Sequence, residues 1–98
     1  MEKRTPHCKL EKVKALIAEG KYTQTQSALI GAAQMGIDHR TMIEIVNNLT
    51  PADFYKSMTT YANHTVWQDV YRPSTEYGNV YLKLTVIDEV LIVSFKEL

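Results

Sequence analysis

A chain of 98 residues, 45% of them apolar, has room for one hydrophobic core and not for two. Its 22% charged residues exclude general disorder, and a net charge of zero argues against a strongly basic nucleic-acid binder. A single cysteine, Cys8, excludes an intrachain disulfide, and the longest apolar run, Val90 to Val93, is far too short to span a bilayer.

Taken from the start, Lys3, Arg4, Lys9, Lys12 and Lys14 face only Glu2 and Glu11. This local cationic excess serves either as a solvated face or as a patch that steers phosphates. No apolar run follows the charged opening, so no signal peptide is expected, and the expected location is the cytoplasm. Thr5 with Pro6 reads as a helix start. Leu10, Val13, Leu16 and Ile17 share one helical face, which Gly20 ends. Thr23 with Gln26 matches a capping box for a second helix, carrying Ala28, Leu29, Ala32 and Met35 and closed by Gly36. The small residues Ala28, Gly31 and Ala32 suit close helix approach. Asp38 caps a third helix with Met42, Ile45, Val46 and Leu49 inward. Thr50-Pro51-Ala52-Asp53 is a further start signal, for a short helix through about Ser57.

From Val66 the apolar period changes from 3.6 to 2. Val66 to Tyr71 reads as a strand that stops at Arg72-Pro73, and Ser74 to Gly78 as a loop. Val80, Leu82, Leu84 and Val86 alternate with Tyr81, Lys83 and Thr85, and Val90 to Lys96 is the last strand. With Asp88-Glu89 as a two-residue turn, Ile87 pairs with Val90, Thr85 with Ile92, Lys83 with Ser94 and Tyr81 with Lys96. The core face then holds Leu82, Leu84, Val86, Leu91, Val93 and Phe95. Helices first and strands later define an α+β domain over residues 1–98, its C-terminal antiparallel sheet packed against N-terminal helices.

Few chemistries fit these residues. His7, His39 and His64 are widely separated and lie in no HExxH pattern, so no metal or cofactor site is expected. No serine lies in a Gly-x-Ser-x-Gly elbow, and four scattered glycines make no phosphate loop. Six of nine aromatics fall between Phe54 and Tyr77, interleaved with Lys56, His64, Gln68 and Arg72. Such a mixture suits single-stranded RNA, whose bases stack on aromatic rings. The plainer reading makes Phe54, Tyr61 and Trp67 core residues, with Tyr55 and Tyr71 exposed on one side.

In this region, from Asp53-Phe54-Tyr55-Lys56-Ser57-Met58-Thr59-Thr60-Tyr61 through Trp67-Gln68-Asp69-Val70-Tyr71-Arg72-Pro73 to Val80-Tyr81-Leu82-Lys83 and Val90-Leu91-Ile92-Val93-Ser94-Phe95-Lys96-Glu97, the chain closely resembles the MqsR family of mRNA interferase toxins. These are related in fold to the RelE toxins. Met1 to His7 resembles the family as well, and residues 8 to 52 do so more loosely. The resemblance implies a ribosome-independent endoribonuclease that cuts mRNA at GC-containing, GCU-like sites. It implies catalytic roles for Lys56, Gln68, Tyr81 and Lys96; by residue type, Tyr55, Met58 and Arg72 are further candidates for substrate contact. It also implies an MqsA-like antitoxin, whose zinc and helix-turn-helix would account for any metal and any DNA contact. Two other readings are a non-catalytic RNA- or DNA-binding module and a protein that docks partners on its sheet edge.

Overall fold

The computed structural model describes residues 1–98. In chain order the elements are β1 (Glu2–Lys3), α1 (Leu10–Ala18), β2 (Tyr22–Gln24), α2 (Gln26–Gln34), α3 (His39–Asn47), a 3-10 turn (Pro51–Asp53), β3 (Phe54–Thr59), β4 (Trp67–Tyr71), β5 (Ser74–Thr75), β6 (Gly78–Ile87) and β7 (Glu89–Glu97). The sheet runs β1-β3-β4-β6-β7-β2, with β5 folded onto β6. All pairings are antiparallel except β2 with β7. The three helices pack on one face, so the α+β expectation holds.

The core joins Val13, Ala28, Met42, Val46 and Leu49 from the helical half to Tyr71, Leu82, Leu84, Ile92 and Phe95 from the sheet. Gly20 and Gly36 sit at φ 76° and 75°, where only glycine is free of steric cost, and they stop α1 and α2. Asp38 caps α3 through the Thr41 amide at 2.8 Å. Two expected caps differ. The residue capping α2 is Thr25, which accepts from the Ala28 amide at 3.1 Å, because Thr23 is committed to the β2–β7 ladder. Helix α1 begins only at Leu10, because Met1–Cys8 lies along the sheet instead.

The expected helix through Ser57 is a single turn followed by strand β3. The Thr50–Asp53 capping box does form, with Asp53 accepting from the Thr50 amide at 2.9 Å. Beyond it, tertiary pairing with β1 and β4 overrides the local start signal. Two further corrections concern side chains: Tyr61 is fully exposed, while Tyr71 is fully buried. The Tyr71 hydroxyl is buried without a hydrogen-bond partner, and its burial pushes the phenol well above its usual range. An unpaired buried hydroxyl costs free energy. Tyr71→Phe is therefore expected to raise stability by about 1 kcal/mol, read as a higher Tm in thermal denaturation.

Two β-bulges shape the sheet. In β3, Phe54 pairs with Tyr71 and Lys56 with Val70, which leaves Tyr55 as the extra residue. In β7, Ile92 pairs with Leu84 and Ser94 with Lys83, which leaves Val93 extra. The β6–β7 turn is one residue tighter than expected, with Asp88 alone at its tip at φ 66°. Thus Val86 pairs with Val90 and Thr85 with Leu91, not Ile87 with Val90 and Thr85 with Ile92. The bulge then absorbs the difference, so that Lys83–Ser94 and Tyr81–Lys96 are paired as the sequence suggests. Between turn and bulge the faces are exchanged. Val90 and Ile92 are fully buried, and Leu91 and Val93, expected in the core, are only partly covered.

Candidate active site on the helix-free sheet face

The face turned away from the helices is built by strand alternation. One row crosses four strands as Lys56, Val70, Lys83 and Ser94. Two residues along lies the pair Tyr81–Lys96, and two residues the other way the pair Met58–Gln68. The two bulged residues, Tyr55 and Val93, sit next to the two ends of the central row. Bulges in this position re-aim side chains and bend the sheet. Val70 is fully buried although it lies outside the helix-side core. Its row neighbours are Lys56 and Lys83, and lysine stems commonly cover apolar surface in this way while the ammonium stays solvated.

The candidate residues separate into two groups on this face. Lys96 Nζ lies 5.4 Å from the centre of the Tyr81 ring, and Lys83 Nζ lies 6.0 Å from it. Lys56 comes from β3, two strands away, and its ammonium pairs with Glu2 at 3.0 Å. That hydrogen bond, with the carboxylate charge, holds the Lys56 ammonium above the usual lysine range and the Glu2 carboxyl below its own. Gln68 is further off. It stands beside Met58 and not opposite Tyr81, the position a four-residue β4–β6 loop would produce. The pairings of Val70 with Lys83 and Tyr71 with Leu82 shift it four positions away. Four strand residues correspond to roughly 13 Å.

Tyr55 collects cations at the rim. Arg72 stacks over its ring at 3.8 Å, with Lys56 at 5.3 Å and Arg4 at 5.6 Å. Arg72 and Tyr55 thus come together as a stacking surface flanked by positive charge, and Met58 lines a cleft of about 390 Å³ with Tyr61 and His64. No group of three or more His, Cys, Asp or Glu residues is placed to hold a metal ion.

Sequence reasoning overlooked two members of this face. Glu2 is far from Lys56 in sequence, and only the β1–β3 pairing brings it near. Alternation places Lys83 on the polar face of its strand, opposite Ser94, without a role. In the fold it is half-buried, and desolvation, then the charges of Lys96 and Lys56, hold its ammonium below the usual lysine range. The signal that could have found it is its place two residues from Tyr81 on the polar face of β6.

A three-helix layer on a bulged, mostly antiparallel sheet, with lysines near a tyrosine on the helix-free face, defines a small α+β domain with a cationic sheet face. The chain belongs to the MqsR family: the family model described as motility quorum-sensing regulator, toxin of MqsA, matches residues 5–97. It is similar to the mRNA interferase toxin MqsR of Escherichia coli (strain K12), with 57% identity over 97 residues that cover 99% of each chain.

Proposed function

We propose that this endoribonuclease toxin cuts single-stranded mRNA on the helix-free sheet face, without a metal ion and without the ribosome, at GC-containing, GCU-like sites. The observation that carries the reading is the direct pairing of Tyr81 with Lys96, on the same sheet face that carries Lys56 two strands away. RNA brings its own nucleophile. The 2′-hydroxyl loses its proton and its oxygen forms a bond to phosphorus. The bond from phosphorus to the 5′-oxygen breaks, and that oxygen takes up a proton. The products are a 2′,3′-cyclic phosphate and a 5′-hydroxyl end.

In this scheme Lys56 and Lys96 hold the non-bridging phosphate oxygens where negative charge grows, which fixed cations in a partly dry site stabilise well. The Tyr81 hydroxyl donates a hydrogen bond to the phosphate or handles the transferred proton. Gln68, roughly 13 Å along the strands from Tyr81, suits reading a neighbouring base edge better than touching the same phosphate. Tyr55 stacks a base, Arg72 holds an adjacent phosphate and Met58 packs against a base. On binding, RNA replaces Glu2 as the partner of Lys56. The toxin acts in the cytoplasm and is neutralised there by an MqsA-like antitoxin, a zinc-containing helix-turn-helix protein that also supplies any DNA contact.

Single-turnover cleavage of a GC-containing oligoribonucleotide in EDTA tests this. Lys96→Ala and Tyr81→Phe are each expected to slow cutting about 100-fold, while the Tm changes little. Full-speed cutting by both variants would remove these residues from the site, and loss of wild-type cutting in EDTA would end the metal-free scheme.

A further inference from the structure

We propose that Lys83 is a catalytic residue of this endoribonuclease, its ammonium contacting the scissile phosphate at the centre of the cationic cluster. The inference rests on the site reading above and extends it. If Lys56, Gln68, Tyr81 and Lys96 serve one substrate, the geometric middle of the four is the Lys83 position. Tyr81 lies two residues before it on β6. Ser94 is its direct partner on β7, with Lys96 two residues beyond. Val70 is its direct partner on β4, with Gln68 two residues before it and Lys56 directly across the row. Every candidate residue is thus within two strand positions or two strands of Lys83, whereas Gln68 and Tyr81 are four positions apart.

The electrostatic setting agrees. The charged groups facing Lys83 are Lys56 from β3 and Lys96 from β7. Strand β6 adds the Tyr81 phenol, β4 adds the uncharged Val70 and Gln68, and Arg72, just past β4, stands over Tyr55 at the rim. Glu2 is the one acid nearby, and it is hydrogen-bonded to Lys56. The three lysines, Lys56 and Lys83 partly covered and Lys96 exposed, repel one another, and only Lys56 has an anionic partner from the protein, Glu2. A dianionic phosphorane at their centre relieves that repulsion, so the attraction grows as the transition state gains charge. An interaction that strengthens between ground state and transition state accelerates the chemical step. The lowered proton affinity of Lys83 fits a cation waiting for an anion, although the assignment stands on the register.

The test uses the full chain and a GC-containing oligoribonucleotide under single-turnover, protein-saturating conditions. Lys83→Met keeps the aliphatic stem over Val70 and removes the charge, while Lys83→Arg keeps the charge. Lys83→Met is expected to cut about 30-fold more slowly and Lys83→Arg within about fivefold of wild type. Both should melt like wild type and bind a 2′-deoxy, uncleavable oligonucleotide with affinity within about fivefold of wild type. Removing one cation also makes the remaining titrating groups hold their protons more tightly, so the pH–rate profile of Lys83→Met is expected to move to higher pH. Cutting by Lys83→Met within twofold of wild type with an unmoved profile would overturn the proposal. So would equal loss in Met and Arg variants with lowered melting, or a loss confined to affinity. Tyr81→Phe and Lys96→Ala run alongside. If they are slow and Lys83→Met is fast, only Lys83 is misassigned; if all three are fast, the site reading fails as a whole.

Discussion

Asp69→Ala is expected to lower stability by about 4 kcal/mol, the largest single loss outside the apolar core. Asp69 is only 2% exposed. Its carboxylate accepts from the backbone amides of His7 and Cys8 at 2.9 and 3.0 Å and from the Ser57 hydroxyl. Hydrogen bonds to a charged acceptor contribute about 1.5–3 kcal/mol each, and donors left buried without a partner cost more than the lost bond. For a domain of this size the loss corresponds to a Tm lower by roughly 16–20 °C. The damage is directional as well. The carboxylate ties Met1–Cys8 to β3 and β4, and this segment carries Glu2 to Lys56 and Arg4 to Tyr55. Amide hydrogen exchange at His7 and Cys8 is therefore expected to quicken before the rest of the sheet opens. Asp69→Asn keeps one acceptor oxygen and should lose about half as much. A melting temperature within 3 °C of wild type for Asp69→Ala (about 0.5 kcal/mol) would mean that the N-terminal segment is not held this way.

The second large effect is expected at Gly31. Helix α2 crosses β7 so closely that a Cβ added to Gly31 would overlap the carbonyl oxygen of Phe95, 3.1 Å from the carbonyl carbon and 3.4 Å from Lys96 Cα. These are backbone atoms and cannot rotate away. Alanine gains about 1 kcal/mol in helix propensity, but overpacking against a rigid strand costs about 4 kcal/mol, for a net loss of roughly 3 kcal/mol. The helix must retreat or β7 must shift, and β7 carries Lys96 on its other side. Gly31→Ala is therefore expected to lower both the Tm and the cleavage rate. A variant as stable and active as wild type would show that the helix and strand separate without effort. Gly31→Ser should resemble Gly31→Ala, since the conflict lies at the Cβ.

Much of the α+β architecture was legible because each half keeps its own period. Helices α1 and α3 show apolar residues three and four apart, closed by glycine or opened by Asp38. Strand β6 alternates without interruption from Val80 to Val86. Legibility failed at the bulges. Phe54 and Ser57 lie on the same face of β3, and Ile92 and Phe95 on the same face of β7. Residues three apart share a strand face only if an extra residue intervenes, and neither Tyr55 nor Val93 carries a mark of that role. The period in β3 was therefore hidden under a valid helix start, and Leu91 and Val93 were placed in a core that Val90 and Ile92 occupy.

The lysine-rich face shows the same division. Local alternation and the short β6–β7 connection determined, from sequence alone, that Tyr81 pairs with Lys96 and Lys83 with Ser94. Those pairings survived a turn one residue tighter than expected because the bulge at Val93 restored the register. Contacts across distant segments were decided only by the tertiary structure. The β4–β6 register moved Gln68 away from Tyr81, the β3–β4 pairing brought Lys56 into the row, and the N-terminal segment bound by Asp69 supplied Glu2. A sequence records which residues alternate along a strand. Register between strands joined by long connections depends on the packing of the whole sheet, and here that packing set Lys83 at the centre.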